Sequence, residues 1–385
     1  MKRIRPFVAV LAVASAAGAP LFGAACGDDE ALVRPRLAGG AALADARPDG
    51  SLACGAVVPT AYESAAFESN AAVEIALTSS LRQLVGDRMK SAEDADAGVT
   101  GADLKAIYNG GAPSLRSVST TEAQTAVDGN LDAWEAALGE TWSPTDPEQD
   151  GGAASGGRYG GVYVSPIGLH LRENTAATLL AGALLNRVLG LVAAPVTEAT
   201  IDSMLAAFGA TPAGLNDLDA GGPTELLADY AARQDRAAPG PYRRMRAALL
   251  TLKAAVAAGD KCKDERDAAV SLFLAEWERT SFGTAIGYLA SAASLAADPQ
   301  KGPDALRSFS AAAGFIASFK GLPPAKRKIT DAQIDALLTK IGVETPYKLI
   351  TAPGDRTLKL NEAINDVALY EAFSPADVEA FRQSL

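Results

Sequence analysis

Ser165-Pro166-Ile167-Gly168-Leu169-His170-Leu171-Arg172-Glu173, running on through Asn174-Thr175-Ala176-Ala177-Thr178-Leu179-Leu180-Ala181-Gly182-Ala183-Leu184-Leu185, is the stretch that decides the fold. Ser165 is a good helix N-cap, and Pro166 suits the first helical position, where a missing N–H costs nothing. The spacing therefore predicts a helix from Pro166 to Gly190. His170 and Glu173, three residues apart, should share a face in its first two turns. Beyond Asn174 the helix is apolar on every side as far as Asn186 and Arg187, and a helix apolar all round is buried by others. His170 is the only histidine in the chain. A polar pair at the mouth of the most buried helix is the leading site candidate.

Most of the chain repeats the helical spacing. Phe67 to Lys90 places apolar residues every three or four positions. Ser119-Thr120-Thr121-Glu122 resembles a capping box ahead of a helix carrying Leu131 and Trp134. Ser143 to Gly161, rich in Pro, Gly and Asp and ending in Arg158-Tyr159-Gly160-Gly161, reads as a loop feeding the central helix. Asp217 to Pro223 is a turn-rich linker. Thr224 caps a helix to Gln234, and further helices follow from Pro241, over Lys263–Ala297, Asp304–Lys320, Asp331–Ile341, Thr357–Ala372 and Pro375–Gln383. Dense β-branched alternation with hairpin turns is nearly absent. The expected fold is all-α in two helical bundles, residues 52–216 with the motif helix and residues 217–385.

The first residues read as an address. Met1-Lys2-Arg3-Ile4-Arg5 is basic, Phe7 to Ala25 is apolar and small, and Cys26-Gly27-Asp28-Asp29-Glu30 follows. That is the layout of a bacterial export signal, residues 1–25, ending at a lipid-modified Cys26. Gly23 stands where such signals usually carry Leu. Pro20 and the charged flank argue against a permanent span. Gly27 after the cysteine points to the outer membrane by resemblance to such signals. Residues 26–51 form a flexible tether without apolar periodicity. The membrane, through the lipid, is therefore an expected partner, and the cell envelope the expected location. In that oxidising compartment a Cys54–Cys262 disulfide is favoured over two separate thiols. The net charge of −11 with no basic stripe excludes nucleic acid as a natural partner.

Gly168-Leu169-His170-Leu171-Arg172-Glu173 resembles the G-x-H-x-x-E motif of imelysin-like proteins. The opening helix Phe67–Leu84, Glu276-Trp277-Glu278-Arg279-Thr280-Ser281, Ser310 to Phe319 and Lys328 to Asp335 are similar to segments of a lipoprotein-rich branch of that superfamily. The resemblance implies a two-bundle fold with the motif helix between the bundles, and an envelope protein tied to iron or other metal acquisition. This chain carries Arg307 and Ala311 where the branch often has a histidine and a glutamate.

The residues limit the chemistry. Any nucleophile–imidazole scheme must use His170, and neither G-x-S-x-G nor H-E-x-x-H occurs. A cation site would need His170 and Glu173 plus a further carboxylate, with Glu68, Glu74 and Glu278 as helical candidates. One imidazole with carboxylates suits iron or another divalent or trivalent cation better than a soft metal. The alternative for His170 is a helix-start residue bonded to a carbonyl or to Glu173. Three functions follow: an envelope lipoprotein that binds a cation or small ligand, an imelysin-type metallopeptidase, or a non-catalytic surface adaptor with a protein partner.

Overall fold

The computed structural model describes residues 50–95, 98–144, 156–216, 226–235 and 240–385. The export signal, Cys26 and nearly all of the tether lie outside them, as do Asp217 to Pro223, Thr224 and most of the loop before Gly156. The tether's end is already part of the fold, since Ser51 is buried and bridges to Val57.

Among the described residues the fold is all-α with one small hairpin. Helix α1 begins as Ala72–Leu81, widens into π-helical turns over Arg82–Met89 and ends as Lys90–Ala95. Helices α2 (Gly101–Asn109) and α3 (Thr121–Ala137) follow, each opened by a threonine whose side chain accepts an N–H of the first turn. The hairpin pairs β1 (Gly157–Tyr159) with β2 (Val162–Val164) in antiparallel register. Helix α4 runs over Leu171–Val192, and α5 is Glu198–Phe208. The remainder comprises α6 (Leu227–Gln234), α7 (Pro241–Ala258), α8 (Lys263–Leu295), α9 (Gly302–Ala317), α10 (Asp331–Ile341), α11 (Pro353–Glu371) and α12 (Pro375–Arg382).

The hairpin replaces the loop expected at Arg158-Tyr159-Gly160-Gly161. Both glycines have positive φ, 54° and 91°. That is the requirement of a two-residue turn whose twist matches the flanking strands. Tyr163 packs on Trp134 at a centroid distance of 4.6 Å, so the strands have a core of their own to sit on.

Helix α4 is long and apolar enough to cross a bilayer by composition alone, yet most of it is buried inside the protein. It lies against α9 at close range. A Cβ on Gly314 would stand 2.8 Å from Ala177 Cβ and 2.8 Å from the Asn174 carbonyl oxygen, and one on Gly182 would meet the Ser318 carbonyl. Residues Leu179–Ala183 form π-helical turns. Such turns disturb the regular i→i−4 ladder, and Trp277 Nε1 on α8 donates to the Ala181 oxygen there at 3.1 Å. A single cluster of buried apolar residues reaches from Tyr62 to Phe381, with α4 in contact with elements of both halves.

At the α7–α8 corner, Cys54 and Cys262 are joined in a disulfide with Cα atoms 5.3 Å apart. Cys54 N–H also donates to Glu265 Oε1 at 2.9 Å. The chain just after the tether is thereby fixed to a helical corner 208 residues away.

Candidate functional site

Local sequence places the imidazole differently from the expectation. Helix α4 starts at Leu171, and His170 is itself the N-cap (φ −71°, ψ 114°). Its Nδ1 accepts the Glu173 N–H at 3.1 Å. Ser165 is no helix cap: its Oγ accepts Leu169 N–H at 3.0 Å and its carbonyl accepts Gly168 N–H at 2.9 Å. The result is a closed turn over Ser165–Leu169. Gly168 stands there at φ 90°, and a Cβ on it would lie 2.9 Å from the Trp142 ring. Trp142 Nε1 seals the same turn by donating to the Pro166 carbonyl at 3.0 Å. The glycine and histidine of the motif are therefore one device, a tight turn delivering a side chain to a helix start.

The acid that faces His170 is Glu93, at the end of α1, and not Glu173. His170 Nε2 and Glu93 Oε1 are 2.9 Å apart, with the ring 0% and the carboxylate side chain 3% exposed. The ring N–H does not point along that line, and neither atom has a hydrogen-bond partner. The contact is close, polar and off-axis. Glu93 Oε2 accepts Arg172 Nε at 2.6 Å, and Arg172 Nη2 reaches Glu173 Oε1 at 2.8 Å. Arg158 of the hairpin donates to the Glu93 carbonyl at 2.8 Å. Burial disfavours the Glu93 charge, but the His170 Nε2–H beside it and the Arg172 guanidinium outweigh it and hold its carboxyl below the usual carboxylate range.

A layer of neutral groups surrounds this cluster. His170 N–H donates to Ser310 Oγ at 2.7 Å, and Asn174 Nδ2 donates to the Ser310 carbonyl at 3.1 Å. Asn130 Nδ2 bonds Asn174 Oδ1 at 2.9 Å and Thr175 Oγ1 at 3.2 Å. On the other side the Tyr230 and Tyr288 hydroxyls meet at 2.9 Å. Burial, then the nearby Glu173 charge, pushes the Tyr288 phenol up to about 12. Helices α1, α3, α4 and α9 are thus tied into one polar knot, with the tyrosine pair of α6 and α8 near enough to feel its charge.

The weaker candidates do not join it. Glu68 is exposed. Glu74 is buried and held by Arg187, with Nη2 at 2.7 Å. Glu278 accepts the Lys328 and Ile329 N–H groups. Among the described residues, the one group of three metal-ligating side chains is Cys54, Cys262 and Glu265, whose sulfurs are bonded to each other. The hydrogen bonds of His170 also bear on cation binding. A metal-bound imidazole normally donates its other N–H to an acceptor. Here Nδ1 receives a backbone N–H, so the neutral ring carries its proton on Nε2, the atom a cation would require. Glu93 already carries Arg172. The ring nitrogens face an amide and a carboxylate, so the geometry offers no nucleophile–imidazole pair. Two depressions, of about 540 Å³ beside Asp335 and Lys340 and about 130 Å³ beside Phe67 and Leu226, include no residue of this cluster.

Glu93 was not legible as a site residue, because Lys90-Ser91-Ala92-Glu93-Asp94-Ala95-Asp96 reads as a solvated helix end. The available signal was the buried stripe Leu81, Val85 and Met89, at four-residue steps, which Glu93 continues. The chain matches no family model, no curated protein and no solved structure.

Proposed function

We propose that the chain is an imelysin-like envelope protein, lipid-anchored through Cys26, whose G-x-H-x-x-E motif is a buried clasp and whose task is to hold a protein partner. It would be neither a metallopeptidase nor a carrier of iron. The observation that carries this reading is the state of the only imidazole. Its ring is fully buried, Nδ1 caps a helix, and the Nε2 proton faces a carboxylate that also binds an arginine. Such a group ties elements together, with one ring nitrogen spent on a helix cap and the facing carboxylate spent in part on an arginine. The resemblance of the motif segments and the export signal supports the envelope assignment, with attachment at the outer membrane.

The test is the metal content of protein purified without a histidine tag, for wild type and His170→Asn, together with crosslinking of the full chain in the envelope. Equal and negligible metal, with one protein recovered reproducibly, is the expected result. Stoichiometric iron that disappears in His170→Asn would overturn it. Chelator-sensitive peptide cleavage lost in Glu173→Gln would restore the peptidase.

A second reading has one observation in its favour. His170 Nε2 and Glu93 Oε1 are close, buried and poorly aligned, as two atoms sharing a cation would be. It requires the ring proton to move to Nδ1, which abolishes the cap on Glu173 N–H and costs about 0.5–2 kcal/mol.

A further inference from the structure

A second knot of buried charge lies where α8, the segment before α10 and the end of α11 meet. Glu278 on α8 accepts Lys328 N–H at 2.8 Å on Oε2 and Ile329 N–H at 3.0 Å on Oε1. Lys328 Nζ donates to the main-chain carbonyl of Glu371. Glu371 is the last residue of α11, its side chain is buried, and its Oε1 has no hydrogen-bond partner. Directly after it Ala372 is left-handed, at φ 53°, and the chain turns through Phe373 into α12. Helix α12 is seated on α8 by small residues and one cation. A Cβ on Gly283 would stand 2.9 Å from the Phe381 ring, and one on Gly287 would stand 2.8 Å from the Phe381 carbonyl oxygen. Arg279 pairs with Asp377 at 2.8 Å and lies 4.7 Å from the Phe373 ring centre.

A buried carboxylate with an oxygen that nothing donates to holds a negative charge poorly. Burial, and then the neighbouring Glu278, push the Glu371 carboxyl well above the ordinary range, with Lys328 and Arg279 opposing. Burial likewise raises Glu278 to about 7, against the backbone N–H groups of Ile329 and Lys328 and the charges of Lys328 and Arg327. The charged groups facing the pair are thus Glu278 and Arg279 from α8, Arg327 and Lys328 from the segment before α10, and Asp377 of α12 acting through Arg279.

We propose that Glu371 is a proton-dependent latch for the C-terminal segment: with its carboxyl neutral, α12 stays seated on α8, and with it ionised, the chain opens at Ala372 and α12 lifts away. The sign follows from linkage. A carboxyl whose folded value is raised gives stability that is complete below the unfolded value, roughly 4.3, and is lost as the pH rises through the folded one. Lifting α12 uncovers Gly283 and Gly287 of α8, a surface that Phe381 otherwise fills.

The test is amide hydrogen exchange on the full chain across the range from about pH 5 to about pH 8, corrected for the intrinsic pH dependence of exchange. Protection over residues 372–385 should fall by about tenfold or more in the wild type, and by less than about twofold in Glu371→Gln, which keeps the shape and removes the charge. The same fall in both proteins would overturn the proposal. Should the variant not fold, the wild type alone decides. A fall confined to residues 372–385 supports the latch, and a fall shared equally by α10 overturns it.

Discussion

His170 does what a serine or asparagine usually does at a helix start, while its far nitrogen reaches a buried acid. Those two tasks can be separated by substitution. His170→Asn keeps a cap and loses the contact with Glu93; His170→Ala loses both, and should be less stable than the asparagine variant by about 1 kcal/mol in chemical denaturation. Glu93→Ala removes the partner of Nε2 and one of the two carboxylates that Arg172 holds, and should cost about 1–3 kcal/mol. The pH dependence has a definite sign here. The Glu93 carboxyl is held low, so its contribution is present above the unfolded value and is lost as the pH falls through the folded one. Acid unfolding of wild type should therefore be steeper than that of Glu93→Gln. The burial of the helix behind the histidine was legible from its apolar run, whereas the sequence placed the ring itself at an open helix mouth and the structure buries it. Its partner was not legible, because a tertiary contact between residues 93 and 170 leaves no mark on local spacing.

Among elements, the contact of α4 with α9 depends on the absence of side chains. Gly314→Ala would drive a methyl into Ala177 and the Asn174 carbonyl. It should destabilise by about 1–3 kcal/mol, and more if Asn174 then loses its bond to Ser310, read as a shift in the denaturation midpoint. The periodicity gave the helices and most of their starts. Thr330 with Gln333 forms the reciprocal cap that the sequence indicates. The start of α4 was misread because Ser165-Pro166 satisfies every local rule for a helix entry, while the positive φ at Gly168, set by Trp142, interrupts the helix before His170. The hairpin was missed although Gly160-Gly161 between Arg158-Tyr159 and Val162-Tyr163-Val164 is a turn signal; its strands are three residues each, too short to show alternation.

For the whole molecule, the Cys54–Cys262 disulfide closes the longest covalent loop that a described pair makes. Replacing both cysteines by serine should cost about 2–4 kcal/mol and should free residues near 54 from the α7–α8 corner, as read by denaturation and by exchange protection. Two opposed titrations bracket the stability of the described residues. Glu93 weakens the fold toward acid, and Glu278 with Glu371 weakens it toward base. The all-α class was legible from composition and spacing.

The use of the motif histidine as a clasp is open to direct observation, because the chain has no other histidine to confuse the signal. Nitrogen-15 spectra of the ring in tag-free protein should show a neutral imidazole with its proton on Nε2 and a bare, hydrogen-bonded Nδ1, unchanged on adding ferrous iron or zinc. A ring protonated on Nδ1, with an Nε2 signal that shifts or vanishes on addition of the metal, would contradict it.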